Sequence, residues 1–110
     1  MIKKLITEIP TLMVAQPWAQ LIADGYKDIE NRTKNCKLRG TVALYASMSK
    51  TTSRFEAADE MGHTFDPEDI SYGVILGFVN IIDVMSGRNR KGYKGKWYHP
   101  GSFGIWLANP

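Results

Sequence analysis

The sequence predicts a small α+β domain in which a mainly antiparallel sheet, or small barrel, carries two helices packed beside it. Three observations lead there. At 110 residues, 44% of them hydrophobic, the chain suits one packed core and is too short for two. Stretches rich in β-branched and aromatic residues recur along its length, the longest over residues 73–84. Between the strands lie two helical patterns, each followed by a glycine. No internal repeat, low-complexity tract or Pro/Ser linker divides the chain, so residues 1–110 are expected to form one domain, with residues 1–10 as an N-terminal extension.

The elements follow in order. Residues 11–15, Thr-Leu-Met-Val-Ala, read as a first buried strand. Pro17 then opens a helix at its first turn, where a missing N–H costs nothing. Trp18, Leu21 and Ile22 fall at i, i+3 and i+4 and give this helix one apolar face, and Gly25 can close it in the left-handed conformation. A short strand around Ile29 occupies residues 27–33, and a clearer one, residues 41–46, is entered through Arg39-Gly40. Residues 53–61 suit a second helix, with Ser53 as cap, Phe55, Ala58 and Met61 on one side, and Gly62 and His63 at its end. Residues 73–84 form the strongest strand, with Gly77 as a bulge or bend. Residues 103–107 supply the last strand.

Composition narrows the chemistry. With Cys36 as the single cysteine, no intrachain disulfide can form and metal sites built on cysteine pairs are excluded; two separated histidines, His63 and His99, argue against a metal site of any kind, and no cofactor is expected. The N-terminus lacks the apolar core of a signal peptide, and no apolar run approaches the roughly 20 residues of a membrane span. A cytoplasmic protein that does not engage membranes is expected. The net charge of +3 mildly favours an anionic partner. More telling is its distribution: Arg88, Arg90, Lys91, Lys94 and Lys96 lie between Ser86 and Trp97 without an acidic residue, interleaved with glycines and Tyr93. Such a segment either tracks a phosphate backbone while rings stack on bases, or is a solvated loop joining two strands.

Residues 16–32 concentrate the other candidates. Gln16-Pro17-Trp18-Ala19 is followed by Gly25-Tyr26-Lys27-Asp28-Ile29-Glu30-Asn31-Arg32, a G-x-K-x-x-E-x-R string, and then by Arg39-Gly40 leading into a strand that ends at Ala46-Ser47. Lys27 and Arg32 offer a point charge and a planar fork for phosphate, and Glu30 can accept from a base amine or orient the two cations. Trp18 presents an aromatic plane to unstacked bases, or anchors the core. Gln16 can read a base edge with both halves of its amide, or cap the helix. In a regular strand Glu30 and Arg32 share a face while Lys27 lies on the other, so Lys27 reaches the same cleft only from an irregular strand start.

In order and spacing these motifs, with the closing run of residues 101–110, resemble the ASCH domain family, whose fold belongs to the PUA-like superfold. Residues 1–10 and 51–72 carry no family feature. The resemblance implies a PUA-like β-barrel whose cleft, lined by the G-x-K-x-x-E-x-R segment, holds a nucleotide or single-stranded nucleic acid, RNA before DNA. It implies further cleft contacts after the third strand, at Ser47 and Lys50, and the Arg88, Arg90, Lys91 and Lys94 segment would extend the cleft. The alternative is a hydrolase. Some small ASCH proteins hydrolyse the amide of N4-acetylcytidine with a Lys, a Thr and a Glu, and ribonuclease activity is suggested for others. Lys27 matches that Lys, and Lys27 and Glu30 would be the catalytic pair; but Glu30 stands where the Thr should be, and Thr33 and Ser47 lack its spacing. A third possibility, docking on another polypeptide through exposed aromatics, follows from composition alone.

Overall fold

A computed structural model describes residues 9–108. Five strands and two helices follow one another as β1 (Thr11–Val14), α1 (Trp18–Ala23), β2 (Ile29–Arg32), β3 (Gly40–Ala46), α2 (Thr52–Glu60), β4 (Val74–Ser86) and β5 (Phe103–Ala108). The strands join in one sheet of order β1-β3-β4-β5-β2. The β2–β5, β3–β4 and β4–β5 pairings are antiparallel, as expected of a mainly antiparallel sheet, but β1 runs parallel to β3, so the sheet is mixed. The reason is the crossover through α1 and β2, which returns the chain to the β1 edge travelling in its original direction.

That order leaves β1 and β2 as the two edges, and the sheet curls until a side chain spans the gap between them. Arg32, the last residue of β2, donates from Nη2 to the carbonyl of Met13 on β1. The result is a half-barrel whose seam is bridged by a side chain.

Alternation sorts the strand residues between faces. Leu12, Val14, Val42, Leu44, Ala46, Val79, Ile81, Ile105 and Leu107 all point into one cluster, which α1 covers with Ala19 and Ile22. Two irregularities in β4 reset the alternation. One sets Leu44 opposite Gly77 and Tyr45 opposite Ile75, which places the predicted bend at Leu76-Gly77; the other, at Ile82, bends the strand toward β5. Beyond it Met85 enters a second cluster with Leu21, Ile29, Ala58, Tyr93, Trp97 and Tyr98. Gly104 lets the connection lie close on β5: a Cβ there would stand 2.6 Å from the Tyr98 ring and 2.9 Å from Met85.

Both helices stop where glycines predicted. At α1, Gly25 takes φ +84°, the N–H of Tyr26 reaches back to Leu21 and that of Gly25 to Ile22. At α2, Gly62, His63, Asp59 and Ala58 repeat the arrangement. These paired bonds satisfy carbonyls that a helix end otherwise leaves open. The helix starts differ from expectation. Pro17, joined to Gln16 by a cis peptide bond, precedes the first residue of α1. The residue before α2 is Thr51 rather than Ser53, because Arg54 bonds the carbonyls of Gln16 and Ser49 and draws the first turn earlier.

Candidate functional site

A cleft of about 400 Å³ opens between α2 and β2, above the second apolar cluster. Trp18 from the start of α1 lines it, with Lys27, Glu30 and Asn31 from β2 and its approach, Ala57 and Glu60 from α2, Met61 just past the end of α2, and Trp97 and His99 from the β4–β5 connection. Each wall has a local cause. The cap of α1 bends the chain at Gly25 so that Lys27 precedes the strand instead of belonging to it; both Tyr26 and Lys27 donate their N–H groups to Leu21. Freed from strand alternation, the Lys27 side chain turns back to Glu30, the irregular start that the motif requires.

Lys27 is buried, only 6% exposed, and its Nζ donates to the carbonyl of Ile29 and lies 3.6 Å from Glu30 Oε1. It stands 5.8 Å from the ring centre of Trp18 and 5.6 Å from that of Trp97. The indoles themselves meet edge to face at 6.3 Å. Two electron-rich faces and one carboxylate thus offset part of the cost of desolvating an ammonium. Burial nonetheless holds its pKa below 10.5, against the opposing pull of Glu30. The Glu30 carboxylate is shared: its Oε2 accepts from Arg32 Nε at 2.9 Å. A chain of alternating charge, Lys27 to Glu30 to Arg32, therefore runs from the cleft floor to the seam.

The far wall is held by Asn31. Its Nδ2 donates to the carbonyl of Trp97 at 2.9 Å and its Oδ1 accepts from the N–H of His99 at 2.9 Å, which clamps the β4–β5 connection to β2. Trp97 Nε1 donates to the carbonyl of Tyr26, and Tyr93 donates to Asp28 Oδ1 at 2.7 Å. His63, at the end of α2, lies 6.0 Å from the Trp97 ring and 5.2 Å from that of Tyr26.

Of the residues singled out in the sequence, the structure brings Trp18, Lys27 and Glu30 together in the cleft. Others serve elsewhere. Gln16 is fully buried; its Oε1 takes the N–H of Gln20, a cap that Pro17 has no side-chain oxygen to provide, and its Nε2 donates to Ser71. Arg32 bridges the seam. Ser47 continues the β1–β3 ladder by donating its N–H to Val14, and Lys50 lies over the Tyr72 ring. Arg88, Arg90, Lys91 and Lys94 are exposed and line no wall of the cleft: Arg90 lies over Tyr98 and Lys91 pairs with Asp83 at 3.7 Å. Thr33 is exposed beyond the end of β2.

Asn31, Trp97, His99, the α2 residues Ala57 and Glu60, and Met61 after them are additions. The signal for Trp97 is an indole inside a run of lysines and glycines, a residue that a solvated loop has no use for. For α2 it is the apolar side carrying Phe55, Ala58 and Met61, whose end brings Met61 and its i−4 neighbour Ala57 to the cleft.

Over 87 residues the chain is 32% identical to Activating signal cointegrator 1 of Homo sapiens, an alignment covering 73% of this chain and 15% of that protein. The chain thus spans about 15% of the length of that relative. The family model described as ASCH domain matches residues 12–101, from the first strand to the end of the connection that carries Trp97, so this chain belongs to the ASCH domain family.

Proposed function

We propose that the cleft binds a nucleobase, either of a free nucleotide or within single-stranded nucleic acid, RNA before DNA. The observation that carries this reading is Lys27, buried between Trp18 and Trp97 beside Glu30 on the floor of a cleft of about 400 Å³. That size suits a single nucleoside. An ammonium has three donors; Ile29 accepts from one and Glu30 lies 3.6 Å away as its counter-charge, so a ligand carbonyl or phosphate can accept from another. Trp18, half-buried, supplies an aromatic face for stacking, worth about 1 to 3 kcal/mol per base. The curled sheet with its bridged seam supports a PUA-like frame. A cytoplasmic setting, resting on the lone Cys36 and on the absence of a membrane-length helix among the described residues, belongs to the same proposal.

A second reading, hydrolysis of an acylated cytidine or of RNA, has one observation in its favour. A lysine whose pKa is lowered by burial, in contact with a carboxylate, is a pair suited to proton transfer. Thr33 and Ser47 do not line the cleft, so the nucleophile would be water, with the Glu30 carboxylate taking its proton and the Lys27 ammonium giving one to the leaving group.

Titration with nucleosides, nucleotides and short single strands, following Trp fluorescence and product together, separates the readings. Saturable quenching without product, weakened by Lys27→Met, is the result expected of a binding module. Product from N4-acetylcytidine or a shortened RNA would establish hydrolysis, and silence across the panel would overturn both.

A further inference from the structure

A second cavity, of about 430 Å³, opens at the end of β2 beneath the loop of residues 33–38. It exists because the sheet does not close: Leu12 of β1 and Ile105 of β5, both core residues, reach its floor through the gap beside the Arg32 bridge. Half-exposed Leu38 extends this apolar floor, while Arg32, Lys34 and Lys37 supply its charge, and no acidic residue lines it. Residues 31–39 hold four cations and no carboxylate. Arg39 is turned toward Asp83, at 3.6 Å, whereas Lys34 and Lys37 are exposed and form no ion pair among the described residues.

One bonded side-chain pair links this cavity to the cleft. Glu30 lines the cleft, Arg32 lines the cavity, and the two are bonded at 2.9 Å. A ligand leaving the cleft past Glu30 therefore meets Arg32 and then the two free lysines. An apolar floor under flexible point charges suits a nucleotide, with the base or sugar on the leucines and phosphate on the ammonium groups. Arg32, fixed by Glu30 and Met13, positions the wall and is not the phosphate ligand.

We propose that this cavity is a second nucleotide subsite, which takes the phosphate and nucleotide adjoining the one in the cleft. The ligand is then a single-stranded oligonucleotide rather than a free nucleoside. This inference rests on the nucleotide reading of the cleft.

The experiment compares the full chain with a K34Q/K37Q variant, whose exposed positions leave the core untouched, against a single nucleoside and a short RNA strand over a range of salt. The nucleoside should bind both proteins equally. The strand should bind the variant several-fold more weakly, with a salt slope reduced by roughly 0.7, the contribution of the one phosphate that the variant no longer neutralises. In backbone NMR spectra the strand, but not the nucleoside, should shift the amides of residues 33–38. Equal strand affinity and equal slope in the two proteins would overturn the subsite and leave the cleft reading standing. Failure of the unaltered protein to bind either ligand would overturn the cleft reading, and the subsite with it.

Discussion

The chain carries positive charge in two contrasting settings. In the cleft a single ammonium, Lys27, is buried between two indoles and a carboxylate. In the β4–β5 connection Arg88, Arg90, Lys91, Lys94 and Lys96 all stand exposed, while Tyr93, Trp97 and Tyr98, from the same segment, are buried beneath them. Counting cations would favour the connection as the binding region. Desolvation reverses that ranking: an exposed lysine interacts through water and salt, whereas a buried one has a shifted pKa and few, fixed partners. Of the connection, Trp97 and His99 line the cleft, and its exposed cations do not.

The sharpest way to break this comparison is to remove the aromatic that joins the two regions. Trp97→Ala should cost about 3–5 kcal/mol of stability by denaturant unfolding, since a buried indole is removed from the second cluster, and the cleft should lose its ligand. Asn31→Ala leaves the core intact but unclamps the connection. With two bonds to Trp97 and His99 gone, a loss of about 2 kcal/mol is expected, together with weaker nucleoside binding. Unchanged affinity in that variant would show that the wall stands without its clamp.

The buried cation itself can be read through pH. Because the folded pKa of Lys27 lies below 10.5, the unfolded chain holds that proton to higher pH, and stability rises with pH across the window ending near 10.5. Tyr93 acts in the opposite sense. Burial, helped by its bond to Asp28, pushes it from 10.0 up to about 12, so the folded chain keeps a proton the unfolded chain has lost and stability falls across that window. Melts over this range should show the rise disappear in Lys27→Met and the fall shrink in Tyr93→Phe, Tyr72 keeping a smaller share of it. The smallest effect belongs to the exposed charges. Arg88→Gln with Lys94→Gln should change stability by less than about 0.5 kcal/mol and leave nucleoside affinity unaltered. A marked drop in affinity would show that the exposed segment binds after all.

Much of the frame is legible in the sequence alone. The five strands, the two helices and the glycines that end them are all readable there, because alternation and helix capping depend on residues only a few positions apart. The cluster of Trp18, Lys27 and Glu30 is legible through its motif, including the need for Lys27 to precede a regular strand. Less legible are the roles of the polar residues around it. Gln16, Arg32 and Lys50 look like ligand contacts because their chemistry suits a nucleotide equally well, yet each has a partner within the protein. The second helix shows no family motif to the eye, yet it lies within residues 12–101 matched by the family model and forms a wall of the cleft.

Local sequence determined the elements, their ends and which strand residues face the core, since those choices are made by interactions spanning five residues or fewer. Only the tertiary structure decided that Arg32 meets Met13, 19 residues away, and that the Trp97 indole meets Tyr26 across 71. Those meetings follow from the sheet order, which curls two edge strands together and folds the long connection back over β2. Which partner a side chain meets within the protein is a property of the whole fold rather than of the residue.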